Sequence, residues 1–331
     1  MTLTTRSLRP QTKKVPCQAS FAKPKVIILA GPTAVGKTAL SLILAGLLSK
    51  VEIISADSMQ VYRGMDIGTA KASWKERLAV PHHLIDVREI NDPYNVVDFF
   101  YDCQSRIADI LKRNKIPIIS GGSGFYLHSL LNGPPSGPPS VPLLRKKLED
   151  ECEELGIEHL FKRLKKLDTL YASTISTKDK QKIIRALEII SLTKQPVSAF
   201  KPPIPPSYDW RCWFLSRERK GLYERIEKRC DEMIAEGLLD EVTRLKREGI
   251  LMNKSAMQSI GYRQSLNFLD STQTLTDFAS YKEDLKKCSR HLAKRQFTWF
   301  RTEPAYSWLE LDTYDMEAVA LQIIQDYGPV Q

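Results

Sequence analysis

No stretch of this 331-residue chain is apolar for long enough to cross a bilayer, and mean hydropathy is -0.29. A membrane-embedded protein is therefore not expected. Cysteine is sparse and scattered: Cys17, Cys103, Cys152, Cys212, Cys230 and Cys288 form no CxxC and no Cys/His pairing at zinc spacing. That pattern argues against a zinc module and fits reduced, packed thiols in a cytoplasmic protein. The 5 histidines include the adjacent pair His82–His83 but no HxxxH, so no structural metal is expected. No internal repeat is present. The segment from Met1 to Lys25 has neither an acidic residue nor an apolar core, so it does not read as a secretory signal. A disordered basic tail over residues 1–24 is expected, adding nonspecific RNA affinity; an organelle transit peptide is the alternative.

What is present is globular: 42% hydrophobic and 27% charged residues, enough for one large domain with an insertion or for two domains. Basic residues exceed acidic ones, with a net charge of +10 and a pI near 9.2. Such a balance favours anionic partners, nucleic acid or phosphorylated metabolites, but it gains force only where the charges gather beside a site.

Along the chain, short apolar runs alternate with helical patterns. Val26–Ala30 leads into GPTAVGKT and a helix, Glu52–Asp57 is a second buried strand ending in a carboxylate, and His83–Val87 is a short third. A helix follows with Phe99, Cys103, Ile107 and Ile110–Leu111 on one side, and then the strand Ile116–Ser120. Strands alternating with helices predict an α/β fold, a parallel sheet flanked by helices on both faces. Two proline-rich linkers, Asn132–Pro142 and Lys201–Ser207, bracket charged helical sequence and predict an all-α insertion over 126–206. The core, residues 25–125 and 207–331, resumes with the strand Arg211–Ser216. A long amphipathic helix broken near Gly237 comes next, then a helix from about Phe278 to Arg301 and a late edge strand at Ser307–Leu311.

Gly31-Pro32-Thr33-Ala34-Val35-Gly36-Lys37-Thr38 matches G-x-x-x-x-G-K-[ST] between a buried strand and a helix. The glycines let backbone N–H groups curl around phosphate oxygens, and the helix N-terminus adds partial positive charge. Lys37 neutralises a terminal phosphate, and the Thr38 hydroxyl is placed to ligate Mg²⁺, the expected cofactor. The motif is nucleotide-binding in general, ATP-binding included, but it specifies only a di- or triphosphate and not a reaction.

In a parallel sheet, ligands gather at the C-terminal strand edge, where Asp57 lies. Three readings of Asp57 stand at this point: holding a Mg²⁺-bound water, acting as general base, or capping the next turn beside Ser58. Asp86, ending HLIDV, is a rival Mg²⁺ ligand. If it held the metal and a nucleotide filled the cradle, the chain would be a kinase or an NTPase.

The segment SADSMQVYRGMDIGTAK (Ser55–Lys71), with GPTAVGKT before it and PHHLIDV after it, resembles the tRNA dimethylallyltransferase (tRNA isopentenyltransferase) family, bacterial type. The likeness continues through GGSGFYL, QKIIRALEI, GLYERIEKR, SIGYRQ and AKRQFTWFR, from about Val26 to Trp308. It implies a P-loop NTPase-like core. It also implies a prenyltransferase reaction: a dimethylallyl group passes from dimethylallyl diphosphate to the N6 amine of adenosine 37 in the tRNA anticodon loop. On this reading the cradle holds diphosphate as leaving group and no ATP is consumed.

By the same resemblance Asp57 is the general base. Lys37, Thr38 with its Mg²⁺, and Arg219 stabilise the diphosphate, with Arg217 competing for the role of Arg219. The residues implied to meet tRNA are Asp57, Ser58, Met59 and Gln60, then Ser123 (in the place of a threonine), and Arg145. Gln181, Lys182, Ile183, Ile184 and Arg185 follow in the insertion, and Gly261, Tyr262 and Arg263 after it. Lys182 replaces an arginine, keeping the charge and losing the planar fork. The absence of a C-terminal zinc finger groups the chain with the bacterial form, expected to be cytoplasmic and monomeric.

Apart from any family, Gln181 and Arg185 share a helix face, as do Arg225 and Arg229. Lys286, Lys287, Arg290, Lys294 and Arg295 precede Phe297, Trp299 and Phe300, a mixture suited to backbone contact and base stacking. Trp299 is expected to pack in the core. Three other functions are weighed: a P-loop kinase, an isopentenyltransferase acting on free adenylate, and a non-enzymatic RNA-binding protein. SADSMQVYRG and KRQFTWFR argue against the first, the helical insertion and GYRQ against the second, and Asp57 beside a complete cradle against the third.

Overall fold

The computed structural model describes residues 23–328 except Pro202 and Tyr314. The expected N-terminal tail lies almost wholly outside the described residues. In chain order the elements are β1 (Lys25–Ala30), α1 (Lys37–Leu48), β2 (Val51–Ser55), α2 (Trp74–Ala79), β3 (His82–His83), α3 (Val96–Lys112), β4 (Ile116–Gly121) and α4 (Gly124–Asn132). Then come α5 (Pro142–Leu155), α6 (Ile157–Leu167), α7 (Thr169–Ala172) and α8 (Lys180–Thr193). The chain closes with β5 (Asp209–Ser216), α9 (Arg219–Ala235), α10 (Leu238–Glu248), α11 (Lys254–Met257), α12 (Tyr262–Leu269), α13 (Leu275–Phe300), β6 (Ser307–Glu310) and α14 (Met316–Tyr327).

Among the described residues the strands form one all-parallel sheet of order β3-β2-β4-β1-β5-β6. A parallel sheet is covered on both faces, which is why β1 reads as an unbroken apolar run, fully buried from Val26 to Ala30. Chain order reverses at β1: β4 and β2 lie on one side, and β5, arriving much later in sequence, lies on the other. The crevice outside the C-terminal ends of β1, β2, β4 and β5 is the place such a sheet offers a ligand.

The insertion begins later than the linkers suggested. Tyr126, Leu127 and Leu130 of α4 belong to the main core, so the separate helical unit starts beyond Asn132. Its own core comprises Leu148, Cys152, Leu160, Leu164, Ile183, Ile184, Leu187 and Ile190 from α5, α6 and α8. Two buried acids tie the linkers to it. Glu188 accepts from Ser140 Oγ and Val141 N, both at 2.7 Å, while Asp168 accepts from Ser198 N at 2.9 Å and caps α7 through Tyr171 N.

Three further expectations needed adjustment. The strand at HLIDV shrinks to His82–His83, because Leu84 and Asp86 adopt left-handed φ values of 59° and 56° that no strand tolerates. The helix α14 was not foreseen at all. Trp299 is 39% exposed rather than packed in the core, whereas its neighbour Phe300 is buried against Phe214. Gly237, at φ 98°, does separate α9 from α10.

Candidate active site

β1 runs directly into Gly31–Thr38. Ala34 (φ 61°) and Gly36 (φ 117°) take left-handed conformations that turn the chain, and at Gly36 a Cβ would stand 2.5 Å from Met316 Cε. Lys37 Nζ folds inward onto the loop, donating to the carbonyls of Gly31 (2.9 Å) and Pro32 (2.8 Å). Desolvation, reinforced by the positive charge of Arg229 and opposed by the negative charge of Asp57, lowers the pKa of Lys37 to about 7. Thr38 is exposed in the first turn of α1, and its hydroxyl has no hydrogen-bond partner among the described residues.

Side chains from distant segments clasp three consecutive residues of this loop. Gln296 Oε1 accepts from Thr33 N, Arg225 Nε donates to Ala34 O, and Arg217 Nε donates to Val35 O, each at 2.9 Å. Arg217 also pairs with Asp312 at 2.6 Å, so its guanidinium is committed to holding the loop. Arg219, expected as the diphosphate-binding arginine, makes no hydrogen bond to the loop; it is exposed and lies over the Tyr223 ring at 5.2 Å. Arg229, ten residues on, is half-buried, and desolvation lowers its pKa against the opposing pull of Asp57. Its i, i+4 spacing to Arg225 was visible in the sequence; that the shared face turns toward the cradle was not.

Asp57 follows β2, whose end is fixed to β4 through Ala56 N donating to Ser120 O at 2.9 Å. Its Oδ1 accepts from Met59 N (2.8 Å) and Gln60 N (3.3 Å), so the carboxylate does cap the next turn. Its Oδ2 has no partner among the described residues, and its charge acts on Lys37, Arg229 and Tyr126. One oxygen is structural and the other is available. Ser123, immediately before α4, accepts through Oγ from Ser58 N at 3.2 Å, which fixes the β4–α4 loop beside Asp57. Asp86 has neither carboxylate oxygen free. Lys71 and Arg77 hold both its oxygens, at 2.5 and 2.6 Å, in a network that braces Ser55–Lys71.

A family model described as IPP transferase matches residues 60–303. A tRNA dimethylallyltransferase of Protochlamydia amoebophila (strain UWE25) is 56% identical over 95% of this chain and 92% of its own length. One of Chlamydia pneumoniae is 46% identical, over 92% and 90%. Among solved structures, a tRNA isopentenylpyrophosphate transferase of Bacillus halodurans is similar, with TM-score 0.66 and 38% identity, covering 91% of this chain and 94% of that one. A eukaryotic dimethylallyltransferase acting on tRNA has TM-score 0.75 and 29% identity, covering 91% and 78%. This chain belongs to the tRNA dimethylallyltransferase family.

The tRNA-facing set expected of a tRNA dimethylallyltransferase divides in the structure. Asp57, Ser58 and Ser123 come together at the cradle. Gln60 turns inward, accepting from Ser55 Oγ at 2.8 Å and donating to Thr69 O at 3.1 Å, and Met59 packs partly buried on the core. Gln181 and Lys182 are exposed on α8, but Ile183 and Ile184 are buried in the insertion core and present no surface to RNA. Arg185 is occupied, donating to Glu188 at 2.7 Å and to Pro138 O, so it anchors the linker. Arg145 is half-buried and pairs with Glu149 at 3.0 Å.

Gly261 and Tyr262 are likewise buried. The Tyr262 hydroxyl donates to Glu241 Oε1 at 2.6 Å, while Glu241 also accepts from the N–H groups of Asp66, Ile67 and Gly68 at 3.0, 2.8 and 3.3 Å. Glu241 thus collects three backbone donors and a phenol, and it shapes the loop after Asp57 from beneath. Arg263 is half-buried beside Cys288. On α13, Lys286 and Arg290 pair with Asp231 and Glu227 of α9, leaving Lys287, Lys294 and Arg295 exposed.

Proposed function

We propose that this enzyme transfers the dimethylallyl group of dimethylallyl diphosphate to the exocyclic N6 amine of adenosine 37 in the tRNA anticodon loop, acting as a cytoplasmic monomer. The observation carrying this reading is that hydrogen bonds through Ser58–Ser123 and Gly122–Gln296–Thr33 join the Asp57 segment to the Gly31–Thr38 cradle, where the charge of Asp57 acts on Lys37 and Arg229.

An adenine amine is a poor nucleophile because its lone pair is delocalised into the ring. As the N–C1 bond forms and the C1–O bond to diphosphate breaks, the amine proton passes to the free Oδ2 of Asp57. Negative charge building on the diphosphate meets the cradle N–H groups, Lys37 and Arg229, all held in place beforehand by the surrounding structure. Mg²⁺ fits this donor set. Thr38, with one exposed hard oxygen, would hold the ion, which would supply charge neutralisation beside the diphosphate. A loop nucleotide is not locked in a duplex, so extruding its base costs at most a few kcal/mol.

The deciding experiment incubates the protein with MgCl₂, labelled dimethylallyl diphosphate, and either unmodified tRNA or AMP. Label in tRNA at position 37 is expected. Label in AMP, or ATP turnover without prenyl transfer, would transfer the assignment to an adenylate prenyltransferase or a kinase. Light scattering on the same sample checks the monomer.

A further inference from the structure

Between the phosphate cradle and the β4–α4 loop stands a single polar side chain, Gln296 of α13, that bonds to both. Its Oε1 accepts from Thr33 N at 2.9 Å and its Nε2 donates to Gly122 O at 3.0 Å. The fit leaves no slack. A Cβ at Gly122 would lie 2.3 Å from Gln296 Nε2 and 3.0 Å from Gly31 O, so the two loops approach backbone to backbone and only glycine admits the amide between them.

The bonded path continues on both sides. Gly122 precedes Ser123, whose Oγ receives Ser58 N, and Ser58 adjoins Asp57. A run of direct contacts therefore leads from Thr33 in the donor cradle, through Gln296, to the residue beside the base. The side chain is also well fixed. One residue on, Phe297 packs edge-on to Phe214 at 5.5 Å and on Trp308 at 6.1 Å, and Phe300 lies against Phe214 at 4.8 Å. Trp299 closes over Gly124, where a Cβ would meet its Cδ1 at 2.4 Å.

We propose that Gln296 is a positioning residue that sets the distance between the diphosphate donor and the Asp57–Ser123 half of the site, resting on the prenyl-transfer reading above. Both ends of its amide are taken up by protein backbone, so it acts through the two loops. Its amide serves because it accepts at one end and donates at the other. A carboxylate keeps the bond to Thr33 and loses the one to Gly122 O, unless it is protonated, when both bonds return.

The test compares wild type with Gln296→Ala and Gln296→Glu. In Gln296→Ala, kcat should fall at least ~30-fold, while affinities for inorganic diphosphate with MgCl₂ and for unmodified tRNA each stay within about threefold, because each loop persists and only their alignment is lost. For Gln296→Glu, the rate relative to wild type at the same pH should rise as pH falls. By hydrogen exchange, diphosphate should slow exchange across residues 120–127 in wild type and leave those residues unchanged in Gln296→Ala.

Near-wild-type kcat in Gln296→Ala, a loss confined to diphosphate affinity, or a pH-independent Gln296→Glu ratio each overturns the proposal. Should Gln296→Ala fail to fold, the Gln296→Glu ratio and its exchange pattern decide. If wild type itself transfers no prenyl group, the reaction assignment fails, and the exchange experiment still decides whether Gln296 couples the two loops.

Discussion

Asp57 caps its own turn by accepting a hydrogen bond from Met59 N at 2.8 Å, and it does so with one carboxylate oxygen only. Asp57→Asn keeps an acceptor for that bond while removing the proton acceptor. We expect kcat to fall ~10²- to 10⁴-fold with tRNA affinity and melting temperature near wild type. Asp57→Ala should lose the rate and, in addition, about 1 kcal/mol of stability from the broken cap. Single-turnover kinetics and thermal melts separate the two effects, and an active Asp57→Asn would exclude the general-base role.

Lys37 rests on carbonyls of its own loop with a pKa near 7, far below an ordinary lysine. Diphosphate favours the charged form, so binding at pH 8 should take up protons, approaching one per site, and affinity should weaken as pH rises above 7. Calorimetry in two buffers of different ionisation enthalpy reads the uptake directly, and Lys37→Met should abolish it. In the free enzyme the unfolded chain holds this proton up to about pH 10.5 and the folded one does not. Between roughly pH 7 and 10.5, Lys37 therefore makes stability rise with pH, a slope that Lys37→Met should remove.

The arginines of the α9 region should sort by position rather than by motif. Arg229→Gln removes a preorganised charge facing the leaving group, and we expect a ~10²- to 10³-fold loss in kcat. Arg225→Gln frees Ala34 O and should raise the apparent donor KM. Arg219→Ala, at an exposed side chain stacked on Tyr223, should change either constant by less than about threefold. A large Arg219→Ala effect in steady-state kinetics would restore the role that its place in the sequence suggested.

Tyr262 and Lys182 make a contrasting pair for RNA binding. Tyr262→Phe strips one charge-assisted bond from Glu241, and we expect a loss of about 1.5–3 kcal/mol in stability with the salt dependence of tRNA binding unchanged. Lys182→Ala, on an exposed helix face, should leave stability intact and reduce the log–log salt slope by about 1. Fluorescence titrations at several salt concentrations, alongside melts, distinguish the two.

The sheet and the cradle were legible because their signals are local: an apolar run, a glycine-spaced loop and an amphipathic helix follow one another within a few dozen residues. The placement of Asp57 at a strand end was legible for the same reason. Residues defined by long-range packing were not. Arg229 reaches Lys37 from well over a hundred residues away, and the separation of Gln296 from Thr33 is 263. Within those motif stretches the sequence did not separate buried or paired residues from exposed ones. Ile183, Ile184, Tyr262 and Arg185 sit in stretches that resemble RNA-contacting motifs because a binding surface needs a specific scaffold under it, and family similarity marks both layers alike. Tyr126 was placed in the insertion because the linker begins just after α4, and only burial assigns it to the core.

The order in which the cradle is completed bears on synthesis. GPTAVGKT is synthesised well before Arg217, Arg225, Gln296 and Met316, which surround it. Its strand also waits for β5 to flank it on one side. A nascent chain carrying the full motif thus has a loop without walls, and tight capture of free diphosphates should await synthesis of these later segments.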